Sequence, residues 1–395
     1  MSTPPPIGPT DPVIVTARRT PIGSAGHKFG TLSTSDLAAG LLAEAGALAA
    51  KVDLAVDDVI LGNCLGPGGN LARVAALAAG LGQQVPGVTV DRQCGSGLDA
   101  VLQAASRVRA GDATLILAGG VESASTAPWR SWPPDGDRPP VRYIRAPFAP
   151  SGFPDPDMGN SADDLARRLR ISRSRQDEFA ARSHSLAAES VVTGLFRDEI
   201  LPVSGTSLDE RPRAGLTTER LGRLPAAFTA DGTVTAGNSC GVSDGAAVLT
   251  VTTGEQARRA GLAAVRIVAS AVVGGDPALP GLAPAIAVRK LLRDSRCEHL
   301  TIQNIGAFEI TEAFAAVALA AIDELGLDQN LVCSDGGAIG LGHPWGASGA
   351  ILLVRLIARM RRAGGSRFGL AACAIGGGQG IAMLVENIAD GRRSA

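Results

Sequence analysis

The segment SGLDAVLQAASRVRAGDATLILAGG, residues 96–120, has a counterpart near the end of the chain, SGAILLVRLIARMRRAGGSRFGLAACAIGGG, residues 348–378. Each copy contains, in order, Ser-Gly, an apolar stripe at helical spacing, Ala-Gly, an apolar run and consecutive glycines. The stripe predicts a helix and the apolar run predicts a buried strand. This internal repeat therefore predicts a protein of two similar halves.

Short apolar runs elsewhere predict further buried strands. Between them lie helical stripes over residues 98–108, 314–325 and 353–360. Fully apolar strands that alternate with helices predict an α/β fold whose sheets are covered on both faces. The predicted strands are residues 12–17, 58–63, 88–90, 113–120, 247–252, 265–273, 368–375 and 380–386.

One segment, residues 122–160, departs from this alternation. It carries nine prolines, two of the three tryptophans and the only tyrosine, and it shows no periodicity. A long excursion of this kind lies on the surface and is often functional. A helical, charge-rich region follows over residues 161–190, with Ser174 and Asp177 at the spacing of a capping box.

Composition excludes several classes of protein. The formal net charge is −1, so no general attraction to nucleic acid or anionic membrane is expected. No apolar stretch approaches the roughly 20 residues of a membrane span, and the N-terminus lacks the pattern of a signal peptide. The six cysteines include no CxxC pair, which predicts reduced thiols, no metal site and a cytoplasmic location.

Cys94 is the first candidate for chemistry. It lies between a short predicted strand and a predicted helix, with Gly95 and Gly97 beside it. The helix dipole and the unpaired N–H groups at such a position predict a lowered cysteine pKa. The alternative is a buried cysteine at a packed turn. The flanking glycines and the repeat favour the catalytic interpretation.

His343 is the second candidate. It lies among glycines, is followed by Pro344, and precedes the second copy of the repeat as Cys94 precedes the first. A neutral imidazole is the usual activator of a cysteine nucleophile. A thiol from one half and an imidazole from the other together form a more specific constellation than either residue alone.

Two further stretches have plain structural interpretations. Thr311 fits the N-cap of a helix, Glu312 fits its first turn, and Gly326 fits its end. The run GGGQG, residues 376–380, lacks the spacing of a dinucleotide-binding loop. It predicts a hairpin turn, whose free N–H groups could also hold an oxyanion.

Five motifs occur along the chain in the order CGSG, TAGNSCGVSDGAA, TEAFA, GGAIGLGHPWGASGA and GGGQG. In these motifs and their order the chain resembles the thiolase family, and the likeness extends from Val13 to the last predicted strand. The resemblance implies a five-layered αβαβα sandwich of two duplicated halves with an inserted loop domain. We therefore expect a flexible tail at 1–10, an N-terminal half at 11–260 with the loop domain at about 122–245, and a C-terminal half at 261–395.

The resemblance also implies roles for individual residues. Cys94 matches the nucleophile that becomes an acyl-thioester, and His343 matches the residue that takes its proton. The backbone N–H groups of Cys94 and Gly376 match an oxyanion hole. Arg213 matches an arginine that lies along coenzyme A, and Met158 matches a methionine near the reacting acyl group. Coenzyme A thioesters are the expected substrates, with no covalent cofactor, and a homodimer or homotetramer is the expected assembly.

The departures from the family pattern are equally informative. Thr311 replaces an asparagine that orients a water in the other oxyanion hole, and threonine can still hold a water. Cys240 replaces a serine that contacts coenzyme A, and Asp157 replaces a histidine. The family's second cysteine stands two residues before the first of three glycines, where this chain has Ala374. Cys373 is one residue earlier.

Strand geometry turns this offset into a prediction. Successive side chains of a strand point to opposite faces, so a shift of one residue reverses the direction. Cys373 is therefore expected to point away from Cys94, into the packing between layers. A β-bulge near the glycines would turn it back.

The function that this pattern predicts is acyl transfer through acyl-Cys94 on a coenzyme A thioester. An ordinary thiolase that forms or cleaves 3-ketoacyl-CoA is one version. The other is a divergent condensing enzyme or acyltransferase of a dedicated biosynthetic pathway, with a different acceptor. A cysteine-dependent thioester hydrolase and a silent binding protein are alternatives of other classes.

Overall fold

The structure is a computed structural model that describes residues 7–388. The strands follow the apolar runs of the sequence. In chain order they are β1 (Pro12–Arg19), β2 (Gly23–Ser24), β3 (Asp58–Gly62), β4 (Gly87–Val90), β5 (Leu115–Ser123), β6 (Arg130–Trp132), β7 (Val141–Tyr143), β8 (Ser243–Thr253), β9 (Val265–Gly274), β10 (Ala307–Ile310), β11 (Phe368–Ile375) and β12 (Gln379–Asn387).

The α-helices lie between these strands and carry the striped sequences. They are α1 (Thr34–Lys51), α2 (Leu71–Ala78), α3 (Ser96–Ala110), α4 (Met158–Leu169), α5 (Arg173–Val192), α6 (Thr218–Gly222), α7 (Gly254–Arg259), α8 (Ala283–Leu291), α9 (Ala315–Leu325), α10 (Ala338–Leu341) and α11 (Trp345–Arg361). Short 3₁₀ helices occupy residues 280–282, 295–297, 302–304 and 329–331.

Two half-sheets repeat one topology. The first has the strand order β4-β3-β5-β8-β1 and the second has the order β10-β11-β12-β9, and antiparallel contacts between β1 and β9 join them. In the first half-sheet β5 is parallel to β3 and antiparallel to β8. In the second, β11 is parallel to β10 and antiparallel to β12. The predicted duplication is confirmed at the level of strand pairing.

Five layers result from the packing of helices on these half-sheets. One apolar core lies between the first half-sheet and α1 and α2. A central core contains α3 and α11, and a third lies between the second half-sheet and α8 and α9. Because each half-sheet is covered on both faces, its strands are almost wholly apolar. The predicted αβαβα sandwich is confirmed.

Two predictions about local structure need correction. Strand β10 was not predicted, because its four residues AFEI are short and contain a glutamate. The predicted capping box at Ser174 is wrong, since the N-cap of α5 is Ser172, two residues earlier. The hydroxyl of Ser172 accepts a hydrogen bond from the N–H of Arg175 at 3.2 Å, while Ser174 bonds the side chain of Glu178.

The insertion between β5 and β8 contains the antiparallel hairpin β6–β7 and helices α4 to α6. The boundaries given above for the tail, the two halves and the loop domain stay predictions. Residues 1–6 of the tail lie outside the described residues, and the carbonyl of Pro9 accepts a hydrogen bond from Glu255. No helix within residues 7–388 is long and apolar enough to cross a membrane.

Candidate active site

The first turns of α3 and α11 pack against each other through glycines. A Cβ atom at Gly97 would lie 2.8 Å from the backbone nitrogen of Ala350, and one at Gly349 would lie 2.5 Å from that of Leu98. Only residues without a Cβ permit this approach. Cys94 and His343 each stand two residues before one of these helices. The glycine contact therefore brings the two candidate residues to the same region from opposite halves.

Cys94 lies in the turn between β4 and α3, as predicted, but its pKa does not shift in the predicted direction. Burial raises the pKa of the Cys94 thiol well above its ordinary value, and the neighbouring thiols of Cys373 and Cys240 act in the same direction. The N–H groups of Gly95 and Ser96 already donate to backbone carbonyls. They are therefore not free to stabilise a thiolate, and Cys94 rests as a neutral thiol.

His343 is buried, and its side chain and backbone are both anchored. Its Nδ1 lies 2.6 Å from the hydroxyl of Ser348, and its backbone N–H donates to the hydroxyl of Ser243 at 3.2 Å. Burial lowers the pKa of His343 to about 4. Its Nε2 has no hydrogen-bond partner among the described residues. A neutral imidazole with a free nitrogen can accept a proton.

Cys373 lies in the central core, yet the prediction that it points away from Cys94 is wrong. Its Sγ is 3.3 Å from the backbone oxygen of Cys94 and 3.1 Å from that of Ala374. No bulge causes this contact, because β11 and β12 pair without interruption from Phe368 to Ile375. The backbone that carries Cys94 lies on the same face of β11 as Cys373. Burial raises the pKa of Cys373 to about 12.

Thr311 is a buried residue directly after β10. The predicted N-cap role is wrong, because the helix does not begin next to Thr311. Helix α9 begins four residues later with Phe314 at its N-cap position, although Gly326 ends it as predicted. The N–H of Thr311 donates to the carbonyl of Ala372, and its hydroxyl has no partner among the described residues. That hydroxyl partly offsets the rise in the pKa of Cys373. Thr311 therefore lies beside Cys373.

The GGGQG run forms the predicted hairpin turn between β11 and β12, with Gly377 and Gly378 in the left-handed region at φ of 79° and 78°. Gly376 is its first residue. A Cβ atom there would lie 2.6 Å from the ring of Phe148, so the excursion folds back over this turn. The N–H of Gly376 donates no hydrogen bond to any described residue. It is free to bind a ligand oxygen.

Cys240 belongs to a loop that connects the other candidates. Its N–H donates to the carbonyl of Ala313 at 3.0 Å, and the next residue, Gly241, accepts from the N–H of His343 at 3.3 Å. Burial raises the pKa of Cys240 to about 12, although the Arg211 guanidinium opposes the rise. Cys94, His343, Thr311 and Cys240 thus lie on neighbouring loops, and Cys373 of β11 contacts the loop of Cys94.

The two remaining predicted residues, Arg213 and Met158, lie in the insertion. Arg213 is exposed, and Met158 is the half-buried first residue of α4. Arg211, which was not predicted, packs its guanidinium on Gly241, and its Nε has no partner among the described residues. The positive charges of both arginines, together with burial, lower the pKa of His184 to about 4. Burial lowers the pKa of Arg211, and the Glu210 carboxylate partly opposes this.

Family models match nearly the whole chain. The thiolase N-terminal domain matches residues 12–255, and the thiolase C-terminal domain matches residues 262–387. The chain belongs to the thiolase family.

Individual thiolases are similar to the chain over its length. An acetyl-CoA acetyltransferase of Escherichia coli is 42% identical over 394 residues, which cover 95% of this chain and 99% of the relative. The acetyl-CoA acetyltransferase of Pseudomonas aeruginosa is 40% identical over 399 residues, covering 95% and 99%. The crystal structure of the Bacillus anthracis acetyl-CoA acetyltransferase has a TM-score of 0.87 and 36% identity, covering 96% of this chain and 99% of that one. The chain is accordingly a thiolase-family acyltransferase, and the family relationship implies coenzyme A thioesters as substrates.

Sequence reasoning missed a buried carboxylate of this thiolase. Glu122, at the end of β5, accepts hydrogen bonds from the N–H groups of Gly346, Cys64 and Leu65, at 3.0, 3.1 and 3.1 Å, and from the amide of Asn63. It therefore ties the first half to the first turn of α11. The available signal was a charged residue directly after an apolar strand, because a buried charge needs several partners.

Glu312 has a different role from the one predicted. It precedes α9 and is fully buried, where its carboxylate accepts from the hydroxyl of Ser183 at 2.6 Å and from the N–H of Ile339 at 3.1 Å. Burial raises the pKa of Glu312 to about 7. It holds the start of α10, and α10 leads directly to His343. Within residues 7–388, no cluster of three or more potential ligands could hold a metal ion.

Proposed function

We propose that this thiolase forms an acyl-thioester on Cys94, with His343 as the proton acceptor. The observation that supports the proposal is the glycine packing of α3 on α11, because Cys94 and the neutral imidazole of His343 each precede one of these helices by two residues. As Sγ of Cys94 attacks the thioester carbonyl carbon, Nε2 of His343 takes the thiol proton. The proton then passes to the sulfur of coenzyme A, which leaves as a thiol.

The thioester oxygen needs hydrogen-bond donors while it carries negative charge. We assign this role to the N–H groups of Cys94 and Gly376, as in other thiolases. The free N–H of Gly376 supports the assignment. A water held by the unpartnered hydroxyl of Thr311 would donate a hydrogen bond in the other oxyanion hole.

Coenzyme A carries phosphates, and the insertion offers cations for them. We assign Arg213 to this interaction and add Arg211, because its buried Nε lacks a partner and an anion would supply one. Cys240 and Met158 would line the passage from these arginines to Cys94. Arg211→Ala and Arg213→Ala should each raise the KM for an acyl-CoA and leave kcat nearly unchanged.

The transfer of the acyl group from Cys94 to its acceptor supports a second candidate function, which is also that of an acyltransferase. Carbon–carbon bond formation needs a base to remove the α-proton of an acetyl thioester, and Ala374 supplies none. The nearest thiol, Cys373, is hydrogen-bonded to carbonyl oxygens, and its pKa is raised to about 12. Under this candidate, the acyl group of Cys94 passes to an acceptor other than the enolate of acetyl-CoA.

Mass spectrometry of the intact protein after incubation with a panel of acyl-CoAs tests the proposal. We expect a mass increase of one acyl group, located on Cys94, and its removal by added coenzyme A. Release of the free acid without accumulation would indicate a hydrolase, and no adduct with any acyl-CoA would indicate a binding protein. Offering the acylated protein acetyl-CoA or free thiols and amines separates the two acceptor candidates.

For the assembly we propose a dimer or tetramer built from two apolar surfaces. The edge strand β4 exposes Val88, beside Val74 and Leu77 of α2. The hairpin β6–β7 exposes Trp132 and Val141. Light scattering should show that Val88→Lys lowers the molar mass of the assembly.

The control for this substitution is Val192→Lys, because Val192 is also an exposed valine but lies outside both surfaces. It should leave the molar mass unchanged. A monomeric unaltered protein would refute the assembly. For the compartment we propose the cytoplasm, since all six cysteines are free thiols.

A further inference from the structure

Ser348 is a buried residue of α11 that contacts the imidazole of His343 on the side away from Nε2. Its hydroxyl lies 2.6 Å from Nδ1 and donates to the carbonyl oxygen of Pro344 at 3.0 Å. A hydroxyl has one proton, so it can donate to only one of these two atoms at a time.

The two tautomers of His343 differ in the number of hydrogen bonds they allow. With the proton on Nδ1, the imidazole donates to the hydroxyl of Ser348, and that hydroxyl donates to Pro344. With the proton on Nε2, the hydroxyl must turn to Nδ1, and the Nε2–H is left in a buried position without a partner among the described residues. Buried N–H groups without an acceptor are rare because they lose their hydration without compensation.

We propose that Ser348 is a positioning residue that fixes His343 as its Nδ1–H tautomer and so leaves the Nε2 lone pair free for the proton of Cys94. The inference rests on the proposed function, in which Nε2 is the proton acceptor. It also explains the location of Ser348, since the first turn of α11 carries both the glycine that contacts α3 and the hydroxyl that orients the base.

The hydrogen bond between Nδ1 and Ser348 also stabilises the protonated imidazole of His343 during the reaction. When Nε2 takes the proton, Nδ1–H continues to donate to Ser348 and no hydrogen bond has to be rearranged. Loss of the hydroxyl should therefore affect proton transfer and leave coenzyme A binding unaffected. A role limited to packing would predict no change in the tautomer.

Nitrogen NMR of ¹⁵N-histidine-labelled protein without substrate tests the proposal directly. The chain has only four histidines, and His343→Gln identifies the signals of His343 by their loss. We expect a protonated Nδ1 and an unprotonated Nε2 in the unaltered protein, and a shift toward the Nε2–H form in Ser348→Ala. A protonated Nε2 in the unaltered protein, or an unchanged tautomer in Ser348→Ala, would overturn the proposal.

Kinetics provide the second readout. Ser348→Ala should slow acylation by about tenfold at an unchanged KM, the scale of one lost hydrogen bond. Ser348→Thr, which keeps the hydroxyl, should retain the tautomer of the unaltered protein, and loss of that tautomer would count against the proposal. The matched control is Ser190→Ala, a buried serine whose hydroxyl also donates to a backbone carbonyl, that of Asp335. It should change neither readout.

The NMR result does not depend on turnover. If no acyl-CoA acylates Cys94 while the Nδ1–H tautomer is found, the proposed function fails and the assignment of Ser348 stands. If acylation occurs and the tautomer is Nε2–H, acyl transfer through Cys94 stands, while the assignment of Ser348 fails together with the role of Nε2 as the proton acceptor.

Discussion

The unit of α3 and β5 and the unit of α11 and β11 have the same architecture but carry different chemical groups. In each, a reactive residue stands two positions before a helix, and the helix leads into a strand with one parallel and one antiparallel neighbour. The first unit presents the thiol of Cys94 and the second presents the imidazole of His343. The comparison shows that the scaffold sets the position of both groups, while the residue type sets their roles.

The two units also differ in the course of the chain at the ends of β5 and β11. The penultimate residue of β5 is Glu122, whose carboxylate reaches the second unit and accepts a hydrogen bond from the N–H of Gly346. The chain then leaves the sheet for the whole insertion. Strand β11 instead turns at once through Gly376, which keeps its N–H free. Under the proposed function, the first unit would thus supply the nucleophile and the covering loops, and the second would supply the base and the oxygen site.

The largest effect is expected from removing the nucleophile of the first unit. Cys94→Ala should abolish acyl-enzyme formation, because no other residue at the start of α3 can form a thioester. Intact-mass measurement after incubation with acyl-CoA checks this. Cys297→Ala is the matched control, since Cys297 is also a free thiol but lies buried in the outer core of the second half. A persistent acyl adduct in Cys94→Ala would contradict the assignment.

Removing the base of the second unit should have the next largest effect. His343→Gln should slow acylation by about a hundredfold or more, which is the scale of general-base catalysis. Because burial lowers the pKa of His343 to about 4, the imidazole stays neutral in weak acid. The acylation rate of the unaltered protein should therefore fall only as the pH drops toward this value, where protonation removes the acceptor. Stopped-flow acylation across pH measures both effects.

A fall of that rate around the ordinary histidine pKa of 6.5 would show that His343 is not the titrating base or that it is less buried. An unchanged rate in His343→Gln would mean that Cys94 loses its proton by another route. His299→Gln is the control. No hydrogen bond or ion pair of the described residues connects His299 to this site.

The sequence predicted the central features of both units for a physical reason. Apolar runs and stripes report burial, and burial determines most of a five-layered fold. All eight predicted strands are present, and Cys94 and His343 precede the two helices that the repeat predicted. Chemistry-bearing residues in glycine-rich turns next to regular elements are therefore accessible to sequence reasoning.

The remaining features depend on contacts between distant segments. Glu122 and Glu312 act through partners elsewhere in the fold, and no local pattern reveals those partners. The rise in the pKa of Cys94 is of the same kind, because its burial results from several layers closing around it. Cys373 shows the limit of register arguments. Alternation along a strand gives the side of each residue, but the neighbour on that side follows from the tertiary packing.

Separating the two units should cost stability as well as activity. In Gly97→Ala, the new Cβ would lie 2.8 Å from the nitrogen of Ala350 and 2.9 Å from the oxygen of Gly346, so α3 and α11 must move apart. We expect a loss of about 1–3 kcal/mol in the free energy of unfolding, typical of overpacking. Urea denaturation measures it. Gly222→Ala is the control, because nothing lies within 4 Å of its Cβ position and alanine favours a helix.

A Gly97→Ala protein as stable as the unaltered one would show that the helices adjust without cost. The contact would then not be what holds Cys94 and His343 in place. The acylation rate of the same variant gives a second check, since moving the helix starts apart should slow proton transfer between them.

The smallest effect is expected at Cys373, where the two units meet through a thiol and a backbone carbonyl. Cys373→Ser keeps a donor to the oxygen of Cys94, so the acylation rate should change by no more than about threefold. Because burial raises the pKa of Cys373 to about 12, this thiol is protonated at neutral pH and donates rather than accepts. A group in that state is a poor base for carbon–carbon bond formation.

Separate assays of acylation and of condensation with acetyl-CoA decide the role of Cys373. If the rates of acylation and of condensation in Cys373→Ser both change by no more than about threefold, Cys373 is a structural thiol that supports the Cys94 turn. If condensation alone is lost, Cys373 is the base after all, and the enzyme works as an ordinary thiolase despite Ala374. Ala374→Cys sharpens the test. It places a thiol on the opposite face of β11, where the family has one, and should increase condensation only if the unaltered protein lacks a base.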